Sequence, residues 1–159
     1  MVSTQTATLA VDYVKTIGIT TNNMGRGFIN PYDVALSKDG RIFVLNHCDS
    51  ARRALIRVGI MNWDEDYLGE FGSGAGSGDG QFNLPFGIAV DGSRSVFVDD
   101  FGNDRIQKFT NTGTFVTKWG SFGGGNGQFA GSIGVAVDGS GHVFVVERDN
   151  ERIQKFACP

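Results

Sequence analysis

The chain has 159 residues, 24 of them glycine, and a mass of 17.1 kDa. Its net charge of −3 and isoelectric point near 5.3 argue against a general nucleic-acid binder. With 40% hydrophobic and 19% charged residues the composition excludes a disordered chain, and three prolines exclude a collagen-like one.

The first ten residues, MVSTQTATLA, have neither the basic nor the apolar region of a secretory signal. No apolar run approaches the roughly 18 residues of a membrane span. The expectation is a cytoplasmic protein with no membrane partner. Residues 1–8 read as a flexible N-terminus and 9–159 as one region of repeated strands, beginning with a strand at 9–18, LAVDYVKTIG. A first unit follows at 27–72, with strands at 33–36 (DVAL), 42–46 (IFVLN), 54–58 (ALIRV, after an insertion) and 67–72 (YLGEFG). A second unit spans 80–120, with strands GIAV (87–90), VFVDD (96–100), RIQKF (105–109) and FVTKWG (115–120). The third, 127–158, has GVAV (134–137), VFVVE (143–147) and RIQKF (152–156) but no fourth strand. Alternating apolar residues and DG-type turns support each assignment.

The units are copies of one another. Residues 80–109 match 127–156 without a gap, each pair 47 positions apart: Ala89 with Ala136, Phe97 with Phe144, Arg105 with Arg152. Ala35 and Phe43 lie 54 positions before Ala89 and Phe97. Repeats of roughly 40–50 residues, each of four antiparallel strands, are the signature of a β-propeller blade. The glycine segments 72–80 and 121–127 are followed by QF and a strand, not by a helix bearing Lys and Ser or Thr. They read as connectors between blades rather than phosphate loops.

The stretch GDGQFNLPFGIAVDGSRSVFVDDFGNDRIQKF resembles the NHL repeat: a G-x-G-x-F entry, a Pro, an Ala-Val-Asp strand, an aromatic-Val-x-Asp strand, an Asn and an Arg-Ile-x-x-Phe strand. Ser132 replaces the usual Pro and Glu147 the usual Asp in the third unit; Asn46 departs in the first. The resemblance implies an all-β propeller, commonly of about six blades. Three blades per chain make half of that. Tyr13–Gly18 aligns with the fourth strands Phe115–Gly120 and Tyr67–Gly72. The expectation is a homodimeric six-bladed ring in which segment 9–18 of each chain completes blade 3 of the other.

Ligands of propellers sit at the channel mouth. The loops after second strands there hold Asn46, His47, Cys48 and Asp49, then Asp99, Asp100 and Phe101, then Glu147 and Arg148; the entries to first strands hold Tyr32, Phe86 and Ile133. His47, beside Cys48 and Asp49, is the one metal-ligand candidate, so a divalent cation is a possible cofactor. The recurring Asp100/Arg105 and Glu147/Arg152 read as structural ion pairs, and Asn103 and Asn150 as turn residues in the left-handed region. The zinc histidines of NHL-like amidating lyases would fall near Tyr32-Asp33, Phe86-Gly87 and Ile133-Gly134, where no histidine stands. Cys48 and Cys158, 110 positions apart, read as reduced thiols. Asp64–Asp66 lacks calcium-loop spacing. Arg105 and Lys108 alternate to opposite faces, which argues against an RNA-binding stripe.

The leading expectation is a non-enzymatic scaffold binding a protein, peptide or small ligand at a propeller face. The alternatives are a metal-dependent lyase or hydrolase at the channel mouth, and a duplicated or designed half-propeller with no ligand.

Overall fold

Short apolar alternation punctuated by glycine turns favours an antiparallel meander in each segment, whose apolar faces pack against the neighbouring sheet. The computed structural model describes residues 13–14, 28, 30–47 and 56–157. Sheet 1 is β1 (Pro31–Leu36), β2 (Arg41–Asn46), β3 (Arg57–Asn62) and β4 (Tyr67–Phe71), in that order. Sheet 2 repeats the order with β5 (Gly87–Val90), β6 (Val96–Asp100), β7 (Arg105–Phe109) and β8 (Phe115–Trp119). Sheet 3 has three strands, β9 (Ser132–Val137), β10 (His142–Glu147) and β11 (Arg152–Ala157). All strand pairs within the sheets are antiparallel. The first strands β1, β5 and β9 lie side by side. No α-helix occurs among the described residues; none is long and apolar enough to cross a membrane.

One strand departs from expectation. The third strand of sheet 1 is Arg57–Asn62, not 54–58. Arg57 pairs with Asn46 as Arg105 pairs with Asp100 and Arg152 with Glu147. RVGIM, rather than ALIRV, is therefore the counterpart of RIQKF. The insertion before it hid the match, and burial of Val58 and Ile60 sets the register. Of segment 9–18, only Tyr13 and Val14 are described; they lie outside any strand and are 79% and 86% exposed. The remainder of that segment, residues 1–8, Cys48, Asp49 and Cys158 fall outside the described residues.

The core forms at the seams between sheets. Between sheets 1 and 2, Phe43, Leu45, Val58 and Ile60 meet Phe82, Ile88, Val98 and Phe109. Between sheets 2 and 3, Phe97 and Ile106 meet Phe129, Val143 and Val145, with Phe156 and Trp119 at the margin. Sheet 2 is thus covered on both sides. The far face of sheet 3 repeats the buried face of sheet 2, with Phe144, Val146 and Ile153 in place of Phe97, Asp99 and Ile106. There Ile153 is 65% exposed where Ile106 is fully buried. On the far face of sheet 1, Ile42, Val44 and Met61 pack with Phe28, while Val34 is 54% exposed where its counterpart Ile88 is buried.

Candidate functional site

Loops at one end of the sheets bring together residues that lie far apart in sequence. His47 follows β2, Tyr32 opens β1, Phe86 precedes β5 and Phe101 follows β6. The Tyr32 and His47 rings stack at 5.0 Å, and Phe86 meets Tyr32 edge-on at 5.0 Å. Phe86 also lies 5.6 Å from His47 and 4.8 Å from Phe101. The result is one continuous aromatic row across two sheets, with Tyr32 half exposed. His47 Nδ1 is 3.2 Å from the Pro85 carbonyl, which can only accept; that nitrogen therefore carries a proton when bonded. In sheet 3 the equivalent positions hold Ile133 and Arg148. Arg148 forks onto Asp149, with Nε to Oδ1 at 2.6 Å and Nη2 to Oδ2 at 3.1 Å.

The remaining expected site residues are engaged elsewhere. Asp100 accepts from the Asn83 N–H (2.6 Å), Asn103 (2.8 Å), Arg105 Nε (2.7 Å) and Gln107 (3.0 Å). Arg105 also donates to the carbonyls of Ser77, Gly78 and Gln81 in the glycine connector. Gln107 donates to Gln81 and accepts from the Gly80 N–H. The same set recurs 47 residues on. Glu147 accepts from Ala130 N–H, Asn150, Arg152 and Gln154, and Arg152 donates to Gly124, Gly125 and Gln128. These carboxylates anchor a connector to its sheet instead of facing an open channel. Asn46, in the acid's place in sheet 1, donates to the Val44 carbonyl, and Arg57 there pairs with Glu70 at 2.7 Å.

The asparagines are not the left-handed residues expected. Positive φ falls one place later, on Asp104 (49°) and Glu151 (51°). Asn103 and Asn150 instead donate from their side chains to Gly76 and Gly123 carbonyls. Gly120, immediately before the second connector, is required sterically: at φ 112° a Cβ there would lie 2.5 Å from the Phe129 ring.

Sequence reasoning missed the special state of Asp99. Its side chain is fully buried at the seam with sheet 3, where Oδ1 accepts from Ser132 Oγ at 2.6 Å and Oδ2 has no hydrogen-bond partner. Burial pushes its carboxyl up to about 7, partly opposed by the Ser132 bond. The signal was present as a paired departure: Ser132 stands where Pro is usual, and Asp99 where the other units have Leu45 and Val146. Among the described residues, no group of three or more His, Cys, Asp and Glu side chains is placed to hold a metal ion.

No protein-family profile and no curated protein matches the chain. Solved structures do match it in fold, and their class is the β-propeller. An exported protein from Bacteroides fragilis, described as putative in its own right, superimposes with a TM-score of 0.57 at 14% identity, over 81% of this chain and 32% of that one. A gluconolactonase from Xanthomonas campestris gives 0.52 at 13% identity, over 76% and 36%. Catalytically inactive virginiamycin B lyase from Staphylococcus aureus, solved with quinupristin, gives 0.53 at 14%, over 86% and 44%. The chain therefore has an all-β, propeller-like fold and spans less than half the length of these structures. At such identities the likeness is one of fold, which hosts unrelated functions.

Proposed function

We propose that the chain is a non-enzymatic NHL-type propeller scaffold that binds a protein, peptide or small ligand at the loop end of its sheets. The observation that carries this reading is the aromatic row Tyr32–His47–Phe86–Phe101. Aromatic rings supply large contact area at small entropic cost, and a half-exposed Tyr at the head of the row offers a face for a flat or apolar group. The acids nearest the row support binding over catalysis. Asp100 and Glu147 are saturated by donors, and Asp99 is shut away from solvent.

Two chains of three blades would form one six-bladed ring. The outer faces support this: sheet 3 exposes Val146 and Ile153, and sheet 1 exposes Val34 and Leu36, while Ile42 and Val44 beside them are buried with Phe28. These are the two halves of the seam already formed twice within the chain. A molecule whose two halves are each partly exposed can associate head to tail.

The binding reading is tested on a peptide array rich in aromatic and proline residues. Peptides that bind the parent saturably should lose at least tenfold in affinity with Tyr32→Ala and Phe86→Ala, and keep it with the distant Val116→Ala. Binding indifferent to Tyr32 and Phe86 would contradict it.

A further inference from the structure

His47 enters the aromatic row with one ring nitrogen committed. The Pro85 carbonyl holds a proton on Nδ1, so the neutral imidazole carries its lone pair on Nε2. Nε2 makes no hydrogen bond to any described residue and is not one of the fully buried polar atoms. It is therefore an acceptor with access to solvent, on a ring in contact with Tyr32 and Phe86. An apolar group laid over it would remove its water and return no hydrogen bond, whereas a group bearing an N–H or O–H would replace that water.

Leu84 is a second, independent feature of the same place. Its φ of 50° lies in the left-handed region, as do those of its counterparts Asn30 (53°) and Gly131 (65°) in the other two repeats. Glycine and asparagine adopt that conformation at least cost, and a leucine there is strained. Leu84 is also 41% exposed, so little burial offsets the strain. Its chain neighbours on both sides are tied to the row. The Asn83 carbonyl accepts the Gly102 N–H at 2.8 Å, beside Phe101, and the Pro85 carbonyl accepts from His47. An exposed apolar side chain is thus held between the loops of His47 and Phe101 at a position where two repeats have residues better suited to the backbone. In the corresponding loop of sheet 3, Arg148 is forked onto Asp149, so its charge is already matched. That favours the uncharged ring of a peptide side chain over a base carrying phosphate.

We propose that the row takes the tryptophan or tyrosine side chain of a peptide, its ring against the exposed apolar surface of Tyr32 and Leu84 and its N–H or O–H donating to His47 Nε2. This rests on the reading of the row as a binding surface. Three uncharged probes test it on the intact protein by NMR titration: N-acetyltryptophanamide, N-acetyltyrosinamide and N-acetylphenylalaninamide. The tryptophan and tyrosine amides should saturate, the tighter of them naming the side chain, and the phenylalanine amide should bind about tenfold more weakly. His47→Phe keeps a ring, removes the acceptor and should bring the three within about threefold of one another. Leu84→Asn should weaken the tryptophan and tyrosine amides about fivefold and yet raise the melting temperature, a pairing that a structural role for Leu84 would not produce. Circular dichroism should show both variants folded, and the comparison of probes on the parent needs neither. A phenylalanine amide that binds as tightly as the other two would overturn the acceptor role and leave the row standing as a binding surface. Leu84→Asn that stabilises the fold without changing affinity would overturn the part given to Leu84. Probes that fail to bind while array peptides still depend on Tyr32 and Phe86 would overturn this ligand class alone; array peptides indifferent to both residues would overturn the binding surface itself.

Discussion

Sheets 2 and 3 carry the same hydrogen-bonded network, donor for donor, 47 residues apart, and differ in what covers it. Arg105 is 7% exposed and its counterpart Arg152 27%. Burial pushes the Asp100 carboxyl above the usual range, against bonds from Asn103, the Asn83 N–H and Arg105. At Glu147 burial acts in the same direction, but bonds from Arg152, Asn150, Ala130 and Gln154 outweigh it and hold the group below its ordinary value. The same set of donors thus leaves an aspartate and a glutamate with opposite electrostatic balance, burial outweighing the bonds at Asp100 and the bonds outweighing burial at Glu147.

Removing the arginine should break the equivalence most visibly. Arg105→Ala leaves a fully buried carboxylate short of its cation and should cost about 3–5 kcal/mol in chemical denaturation. Arg152→Ala lets water reach Glu147 and should cost roughly half as much. Equal losses would mean that cover does not govern these networks. Trimming the repeated phenylalanine sharpens the same contrast. Phe97→Ala opens a cavity in a sealed seam and should cost about 3–5 kcal/mol. Phe144→Ala should cost about 1 kcal/mol in dilute protein and more as concentration rises, if a second copy covers that face.

A further effect is read against pH. The folded pKa of Asp99, about 7, lies above its ordinary value of 3.8. Between these values the folded chain keeps a proton that the unfolded chain releases. Stability attributable to Asp99 therefore falls as pH rises from about 4 to about 7 and levels off above, by a few kcal/mol at most. Asp99→Asn should raise the melting temperature more at pH 8 than at pH 5. A gain that is the same at both would show that Asp99 does not titrate in this range.

Much of the architecture was legible because strand period and repeat spacing are local. The 47-residue copy located β5 to β7 and β9 to β11 within one or two residues. The third strand of sheet 1 was not legible, since an insertion displaced Arg57 from its aligned place and Leu55-Ile56 imitated its pattern. Of the expected site, Tyr32, His47, Phe86 and Phe101 do converge, because equivalent loop positions in adjacent repeats must lie side by side. Asp100 and Glu147 stand in the ion pairs that their spacing to Arg105 and Arg152 implied. The raised pKa of Asp99 was hidden, since it depends on which sheet closes over it and no single segment encodes that.

The account rests on the exposed parts of the two outer faces belonging to one interface. Light scattering after size exclusion, with dilution, tests this most directly. A mass near twice 17.1 kDa that falls on dilution and on Phe144→Ala is the predicted result. A stable, folded 17.1 kDa monomer at every concentration would contradict it.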